Sequence, residues 1–215
     1  MANKKSPEEA TQLQGKPLQR SKPKVASSEP KLVVIPQLRI LKAEIRIVGD
    51  SPLICHAWSK KAKEQILAKQ MKQATEGRAA KNPQQDYEES LYRLSDGSCG
   101  FPTVAFKASA VDACSFIPNL TKVEARGAFH MIGEMVQLEG EPHMREDMVR
   151  IAMGTADIRY RAEFSTWACT LPIRYNAGTL SIEQIVNLFN VAGFSVGIGD
   201  WRPQKDGHYG MFHVE

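Results

Sequence analysis

The sequence of 215 residues lacks the motifs of most familiar enzyme classes. It contains no Cys-x-x-Cys pair, no P-loop, no dinucleotide fingerprint, no Gly-x-Ser-x-Gly and no His-Glu-x-x-His. It also has no apolar run approaching the roughly 18 residues of a membrane span, and no apolar signal core at its N-terminus. We therefore expect a cytoplasmic protein that is not a classical enzyme and has no membrane partner.

Cysteine is scarce and unpatterned. The four thiols are Cys55, Cys99, Cys114 and Cys169. Without paired spacing or a secretory context, reduced and mostly buried thiols are the expectation. A zinc site completed by His130 or His143 is the minor alternative, and Glu146, Asp147 and Asp157 do not form a two-metal pattern. We expect neither a metal nor a cofactor.

The positive charge is concentrated at one end of the chain. Residues 1–31 carry seven Lys or Arg and three Glu, whereas the remaining residues carry 21 charges of each sign. This first segment is rich in Lys, Ser, Pro and Gln and has few large apolar groups, which predicts a disordered basic arm. The arm either increases solubility or follows a polyanion. A nucleic-acid surface on the rest of the chain would require local segregation of charge.

Hydrophobic periodicity alternates between strand and helix along the rest of the chain. Residues 38–49 and 158–176 read as long strands, 59–81 as a helix, and 125–140 as a strand or ribbon. The remaining segments are a short helix within 99–117, an irregular charged stretch over 141–157, a helix capped by Ser181 and ended by Gly193, and a hairpin-like segment over 194–214.

Strands at both ends with two core helices between them predict an α+β fold. We expect a ferredoxin-like or RRM-like antiparallel sheet with helices on one face. Residues 32–215 would form this single domain, with a basic helical insertion at about 59–98. In 158–176, Arg159 and Arg161 share the polar face of the strand, as a basic stripe or as ordinary cross-strand ion pairs.

The predicted helix 59–81 carries seven Lys or Arg against two Glu, and its apolar stripe is thin. Such a helix is either an ordinary solvent-exposed surface or a site that contacts phosphates without sequence specificity. Its candidate contacts are Lys60, Lys61, Lys63, Lys69, Lys72 and Arg78.

The closing segment "VGIGDWRPQKDGHYGMF" (196–212) combines glycines, cations and aromatic rings. One glycine would be enough for a hairpin turn, so the others indicate a backbone that lies against a ligand. Cations would hold phosphates, and flat rings would stack on bases. The candidate binding residues are Gly197, Gly199, Trp201, Arg202, Lys205, Gly207, His208, Tyr209 and Gly210.

The pattern "GIG…GHYGMF" after a strand and a helix resembles the C-terminal glycine-rich loop of the RAMP superfamily, the RRM-like proteins of CRISPR systems. "AEIRIVGDSPLI" is similar to the first strand of its backbone-type subunits, and "CGFPTVAFKASAVDAC" (99–114) lies where that family has a loop and helix that meet the guide strand. The overall character of the sequence is also consistent with a phage-encoded relative of this superfamily.

The resemblance implies a non-catalytic protein that binds single-stranded RNA or DNA, with RNA favoured, and forms a homo-oligomer along the strand. The glycine loop and the basic helix would hold phosphates, and Lys107 would be a further contact. Two alternatives stay open. One is a metal-independent endoribonuclease with His56 as general base. The other is a viral structural or interaction protein that binds no nucleic acid.

Overall fold

The computed structural model describes residues 35–72, 80–150 and 156–215. The elements below belong to the compact unit Gln37–Glu215. The predicted arm, residues 1–31, lies outside the described residues. The strands are β1 (Ile40–Gly49), β2 (Leu53–Cys55), β3 (Tyr92–Arg93), β4 (Cys99–Pro102), β5 (Phe129–Met131), β6 (Met135–Gln137), β7 (Pro142–Arg150), β8 (Ala156–Phe164), β9 (Ala168–Asn176) and β10 (Phe212–Val214). The helices are α1 (Lys60–Gln70), α2 (Pro83–Ser90), α3 (Thr103–Ala113), α4 (Lys122–Ala128) and α5 (Ile182–Ser195).

The central sheet has the strand order β10-β1-β9-β5, and every neighbouring pair is antiparallel. Without α1, α2 and α4, which also lie between β1 and β5 in the chain, the strands of this sheet and the helices that connect them run β1, α3, β5, β9, α5, β10. This is the ferredoxin-like arrangement, in which the two edge strands are second and fourth in chain order. The predicted fold class, α+β with an antiparallel ferredoxin-like or RRM-like sheet, is confirmed.

Alternation along β1 and β9 separates the two faces of this sheet. Ile45 and Ile47 of β1 and Leu171 and Ile173 of β9 are almost completely buried on the face that α3 and α5 cover. Helix α5 begins at a reciprocal cap between Ser181 and Gln184 and packs its apolar side inward. The opposite face carries polar side chains.

Two insertions extend this core. Residues 50–98 contain β2, α1, α2 and β3, and the connection from β5 to β9 contains β6, β7 and β8. Two further three-stranded sheets result, with the orders β2-β8-β7 and β3-β4-β6. In the predicted helix 59–81, α1 ends at Gln70, and residues 73–79 lie outside the described part of the chain.

Two sequence predictions of local structure are wrong, and a third is only partly right. The long strand over 158–176 is two strands, β8 and β9, in different sheets, and the buried Trp167 lies at the turn between them. Both strands alternate with period two, so periodicity does not reveal the break. The irregular stretch 141–157 includes β7. The strand or ribbon predicted over 125–140 is confirmed in part, because β5 and β6 lie within it, whereas residues 125–128 belong to α4, which begins at a capping box between Thr121 and Glu124.

The hairpin over 194–214 is also not found. After α5 the chain forms a compact loop with a 3₁₀ turn at Pro203–Lys205, and β10 pairs with β1 instead. The four cysteines are free thiols, and three of them are buried. Burial raises the pKa of Cys55 and of Cys169 to about 12.

Candidate nucleic-acid interface

The glycines of the closing loop are required by the packing of the loop itself. A Cβ on Gly207 would lie 1.6 Å from the carbonyl oxygen of Trp201, and one on Gly210 would lie 1.8 Å from that of Ile198. At Gly197 and Gly199 the nearest protein atom to such a Cβ lies at 2.7 Å. The prediction that these glycines leave a bare backbone for a ligand is therefore corrected, because the chain's own atoms occupy that space.

The loop cations are nevertheless accessible. Arg202 donates to the carbonyl oxygen of Gly199 at 3.1 Å and to the side chain of Gln204 at 3.0 Å. Lys205 and His208 are exposed. Among the described residues, neither Arg202 nor Lys205 forms an ion pair, so their predicted contacts with phosphates stay predictions.

The two loop aromatics face protein cations. The rings of Trp201 and Tyr209 lie 6.0 Å apart between centroids. The Arg161 guanidinium lies 4.7 Å from the Trp201 centroid, and that of Arg145 lies 4.7 Å from the Tyr209 centroid. One side of each ring is thus involved in a cation–π contact inside the protein, which leaves at most the other side for a base.

These arginines belong to a chain of alternating acids and bases that connects the loop to the β7–β8 hairpin. In order of contact, its members are His143, Glu163, Arg145, Asp147, Arg161, Asp200 and His56. Arg161 and Asp147 are almost fully buried and lie 2.6 Å apart, while the terminal histidines are about half exposed. Arg161 therefore belongs to an ion-pair network, which is the second of the two predicted alternatives.

The chain orients the ring of His56. Nδ1 of His56 lies 3.0 Å from a carboxylate oxygen of Asp200, which also accepts a hydrogen bond from Arg161. Burial would raise the pKa of Asp200, but the hydrogen bonds and charges of His56 and Arg161 hold it below its ordinary value. Burial would likewise lower the pKa of Arg145, but hydrogen bonds to Glu163, Asp147 and Tyr209 outweigh it and raise that pKa.

Helix α1 presents its described lysines to solvent. Lys63, Lys69 and Lys72 are exposed, and the Lys63 ammonium lies 5.9 Å from the Trp58 ring centroid. The side chains of Lys60 and Lys61, and all of Arg78, lie outside the described residues. The predicted role of this helix in phosphate contacts stays a prediction.

A set of cations that the sequence patterns did not reveal lies on the uncovered face of the central sheet. The register places Lys42 of β1 opposite Arg174 of β9, and Arg174 opposite His130 of β5. All three side chains are exposed. We call them the cationic row. It crosses three adjacent strands, about 10 Å from first to last.

Within the described part of the chain, Lys42 and Arg174 have no ion-pair partner. Glu44, the acidic neighbour on the same face of β1, stands opposite Pro172. Like charges directly opposite each other in an antiparallel pair are destabilising. The opposed side chains of Lys42 and Arg174 therefore lower the stability of the folded protein.

The row continues into a groove at the start of α3, which we call the α3 groove. Its lining includes Thr103, Val104, Lys107, His130, Glu134 and Arg174. No side chain caps the start of α3, whose first residue, Thr103, lines the groove and donates its backbone N–H to the Glu134 carbonyl oxygen.

The Lys107 ammonium already has partners within the protein. Its ammonium donates to the carbonyl oxygens of Arg126, at 2.9 Å, and Phe129, and lies 4.1 Å from the Phe129 ring centroid. Burial lowers the pKa of Lys107 to about 8. Burial, followed by the charges of Lys107 and Arg174, also lowers the pKa of His130. Lys107 and Arg174 therefore act electrostatically on His130.

Two further findings concern the described residues as a whole. Nowhere in them do three or more potential metal ligands of the His, Cys, Asp or Glu type come together. No helix in the same residues has the length and apolar character needed to cross a membrane.

No family model matches the chain, and no curated protein matches its sequence. Among solved structures, the chain is similar to the crystal structure of Cmr6 from Pyrococcus furiosus, with 9% identity and a TM-score of 0.45 over 83% of this chain and 100% of that one. The ferredoxin-like assignment depends on this chain's own strand order, and membership of the RAMP superfamily stays a prediction.

Proposed function

We propose that this protein binds the sugar–phosphate backbone of a single-stranded nucleic acid across the cationic row and the α3 groove. The observation that carries the proposal is the direct opposition of Lys42 and Arg174 across β1 and β9. Two exposed cations held side by side without a carboxylate between them cost stability in the free protein. A phosphate bound between them attracts both cations and offsets their repulsion.

The position of the row favours an extended polyanion over a small ligand. The row lies on an open sheet face instead of in an enclosed cavity, and the α3 groove continues from it around the edge strand β5. Contacts of this kind hold phosphates and carry no sequence information. The zero net charge of residues 32–215 also suits a local strip of positive charge better than a globally basic surface.

The wider proposal retains the predicted assembly of several copies along the strand, a RAMP-like role in the cytoplasm and the absence of catalysis. In it, the loop cations Arg202 and Lys205 and the lysines of α1 form secondary contacts that follow the strand beyond the row. These elements depend on the resemblance of the sequence to that superfamily, whereas the row depends on strand register.

The test is a binding titration by fluorescence anisotropy, with a labelled single-stranded oligonucleotide at low salt. Lys42→Ala and Arg174→Ala should each weaken binding by about three- to tenfold. Arg150→Ala, which removes an exposed arginine from β7 in a different sheet, is the matched control and should leave affinity unchanged. Equal affinities for all four proteins would reject the row as the binding site. An absence of binding by the parent protein would favour the structural or interaction alternative.

A second candidate function has one observation in its favour. The Asp200 carboxylate holds Nδ1 of His56, which leaves Nε2 of an oriented imidazole to act as a general base. The proposal is metal-independent cleavage of RNA at the adjacent surface. A His56→Ala protein that cleaves single-stranded RNA as fast as the parent, in the presence of a chelator, would end this alternative.

A further inference from the structure

The α3 groove contains a carboxylate that a purely phosphate-binding surface would not include. Glu134 lines it together with Lys107, His130 and Arg174. Its main chain is fixed, because the Glu134 carbonyl oxygen accepts hydrogen bonds from the backbone N–H of Thr103 at 2.9 Å and from the Thr103 hydroxyl at 3.1 Å.

The side chain of Glu134 is exposed, and it has no hydrogen bond or ion pair with any other residue that the structure describes. Lys107, His130 and Arg174 line the same groove, yet the carboxylate forms a direct ion pair with none of them. An unpaired carboxylate beside a bound phosphate is repulsive unless the ligand gives it a hydrogen-bond donor.

We infer that Glu134 accepts a hydrogen bond from a ribose 2′-hydroxyl, so that the groove selects RNA over DNA. This inference rests on the proposed function and identifies the nucleic acid that the same site takes. The 2′-hydroxyl is the one donor on the sugar–phosphate backbone that RNA has and DNA lacks. Its hydrogen bond to an ionised acceptor offsets the repulsion between that acceptor and the neighbouring phosphates.

Donors on the bases are the competing source of a hydrogen bond to Glu134. A contact to a base is distinguished from a contact to the sugar by keeping the base constant and changing only the sugar. The two probes are labelled oligouridylate and oligodeoxyuridylate of about 15 nucleotides, within the usual range of single-strand site sizes. A base contact gives both probes the same affinity, whereas a sugar contact does not.

The experiment compares the parent protein with Glu134→Ala and Glu134→Gln, using both probes at one salt concentration. We expect the parent to bind the RNA probe about tenfold more tightly than the DNA probe, and Glu134→Ala to bring that ratio close to one. Glu134→Gln keeps a carbonyl acceptor without the charge, so it should retain part of the preference.

Each other outcome counts against the inference. An equal RNA-to-DNA ratio in the parent and in Glu134→Ala overturns it and leaves the proposed function standing. A similar rise in affinity for both probes in both variants means that Glu134 is only repulsive, which also overturns it. Failure of the parent to bind either probe overturns the proposed function itself.

Discussion

Lys42 and Arg174 stand directly opposite each other across β1 and β9, and His130 stands opposite Arg174 on its other side. A carboxylate at position 174 would replace the repulsion of Lys42 with an attraction, and it would do the same for His130 wherever that ring is protonated. Arg174→Glu should therefore raise the free energy of unfolding by about 0.5–1 kcal/mol. It should also reduce the affinity for single-stranded nucleic acid. Urea unfolding and anisotropy on the same sample measure the two effects, and a variant with reduced stability as well as reduced affinity would contradict this account of the row.

The depressed pKa of His130 predicts a linked response to pH. Because burial and two neighbouring cations lower it, the folded protein binds fewer protons than the unfolded chain between the folded pKa and about 6.5. Stability should therefore rise with pH across that window.

A bound phosphate favours the protonated ring of His130, so affinity should increase as the pH falls. Urea unfolding across this pH range tests the effect on stability, and NMR titration of His130 tests its coupling to Arg174 and to the bound phosphate. Its pKa should rise toward 6.5 in Arg174→Ala and rise in the parent when oligonucleotide is added. If the pKa of His130 changes neither in Arg174→Ala nor when oligonucleotide is added, His130 does not interact with the other residues of the row.

Lys107 should change the pH dependence of folding stability at alkaline pH. Its folded pKa is about 8, below the ordinary value of 10.5, so between these values the folded protein holds fewer protons than the unfolded chain. The contribution of Lys107 to stability should therefore rise from about pH 8 to 10.5. Urea midpoints of the parent and Lys107→Met should diverge over this range in the parent's favour, and parallel curves would mean that burial does not perturb this ammonium.

The packing of the closing loop predicts that its glycines control stability. Gly210 has a φ of +64° and no space for a Cβ, so Gly210→Ala should cost about 2–4 kcal/mol. Gly127 in α4 has nothing within 4 Å of a Cβ, and Gly127→Ala should stabilise the protein by about 0.5–1 kcal/mol. Thermal unfolding of the two variants provides the comparison. If Gly210→Ala keeps its stability and is impaired only in binding, the original ligand explanation of this glycine is restored.

The acid–base chain beneath the loop should be sensitive to removal of one member. Arg161→Met leaves the buried Asp147 with Arg145 as its remaining partner, and should cost about 3–5 kcal/mol. Replacing both charges, in Arg161→Met with Asp147→Leu, should recover part of that cost. A double variant whose loss of stability equals the sum of the two single losses would show that the two side chains are not coupled as the distances indicate.

Local signals were enough to predict the elements that carry the fold. The alternation of Ile45 and Ile47 identifies β1, and the cap at Ser181 with its apolar stripe identifies α5. These signals depend on neighbours within a few residues. The strand β7 was missed because it carries charged residues on both faces, and one of them, Asp147, is buried by an ion pair that the sequence alone does not show.

The candidate site was harder to predict because it depends on register. Lys42, His130 and Arg174 lie far apart in the sequence, and only the pairing of β1, β9 and β5 brings them into one row. Their polar positions on alternating strands were a usable signal, but alternation does not say which strands are neighbours. The glycines of the loop show the same limit, because the sequence indicates a close approach and only the fold identifies the approaching atom.

The salt dependence of binding tests the central claim most directly. For a single strand, the slope of log affinity against log salt concentration becomes shallower by about 0.7 for each phosphate that the protein no longer neutralises. The variant with both Lys42→Ala and Arg174→Ala should therefore show a slope about 1.4 shallower than that of the parent, while Arg150→Ala keeps the parent's slope. If the double variant binds with the parent's slope and affinity, the cationic row does not hold phosphates.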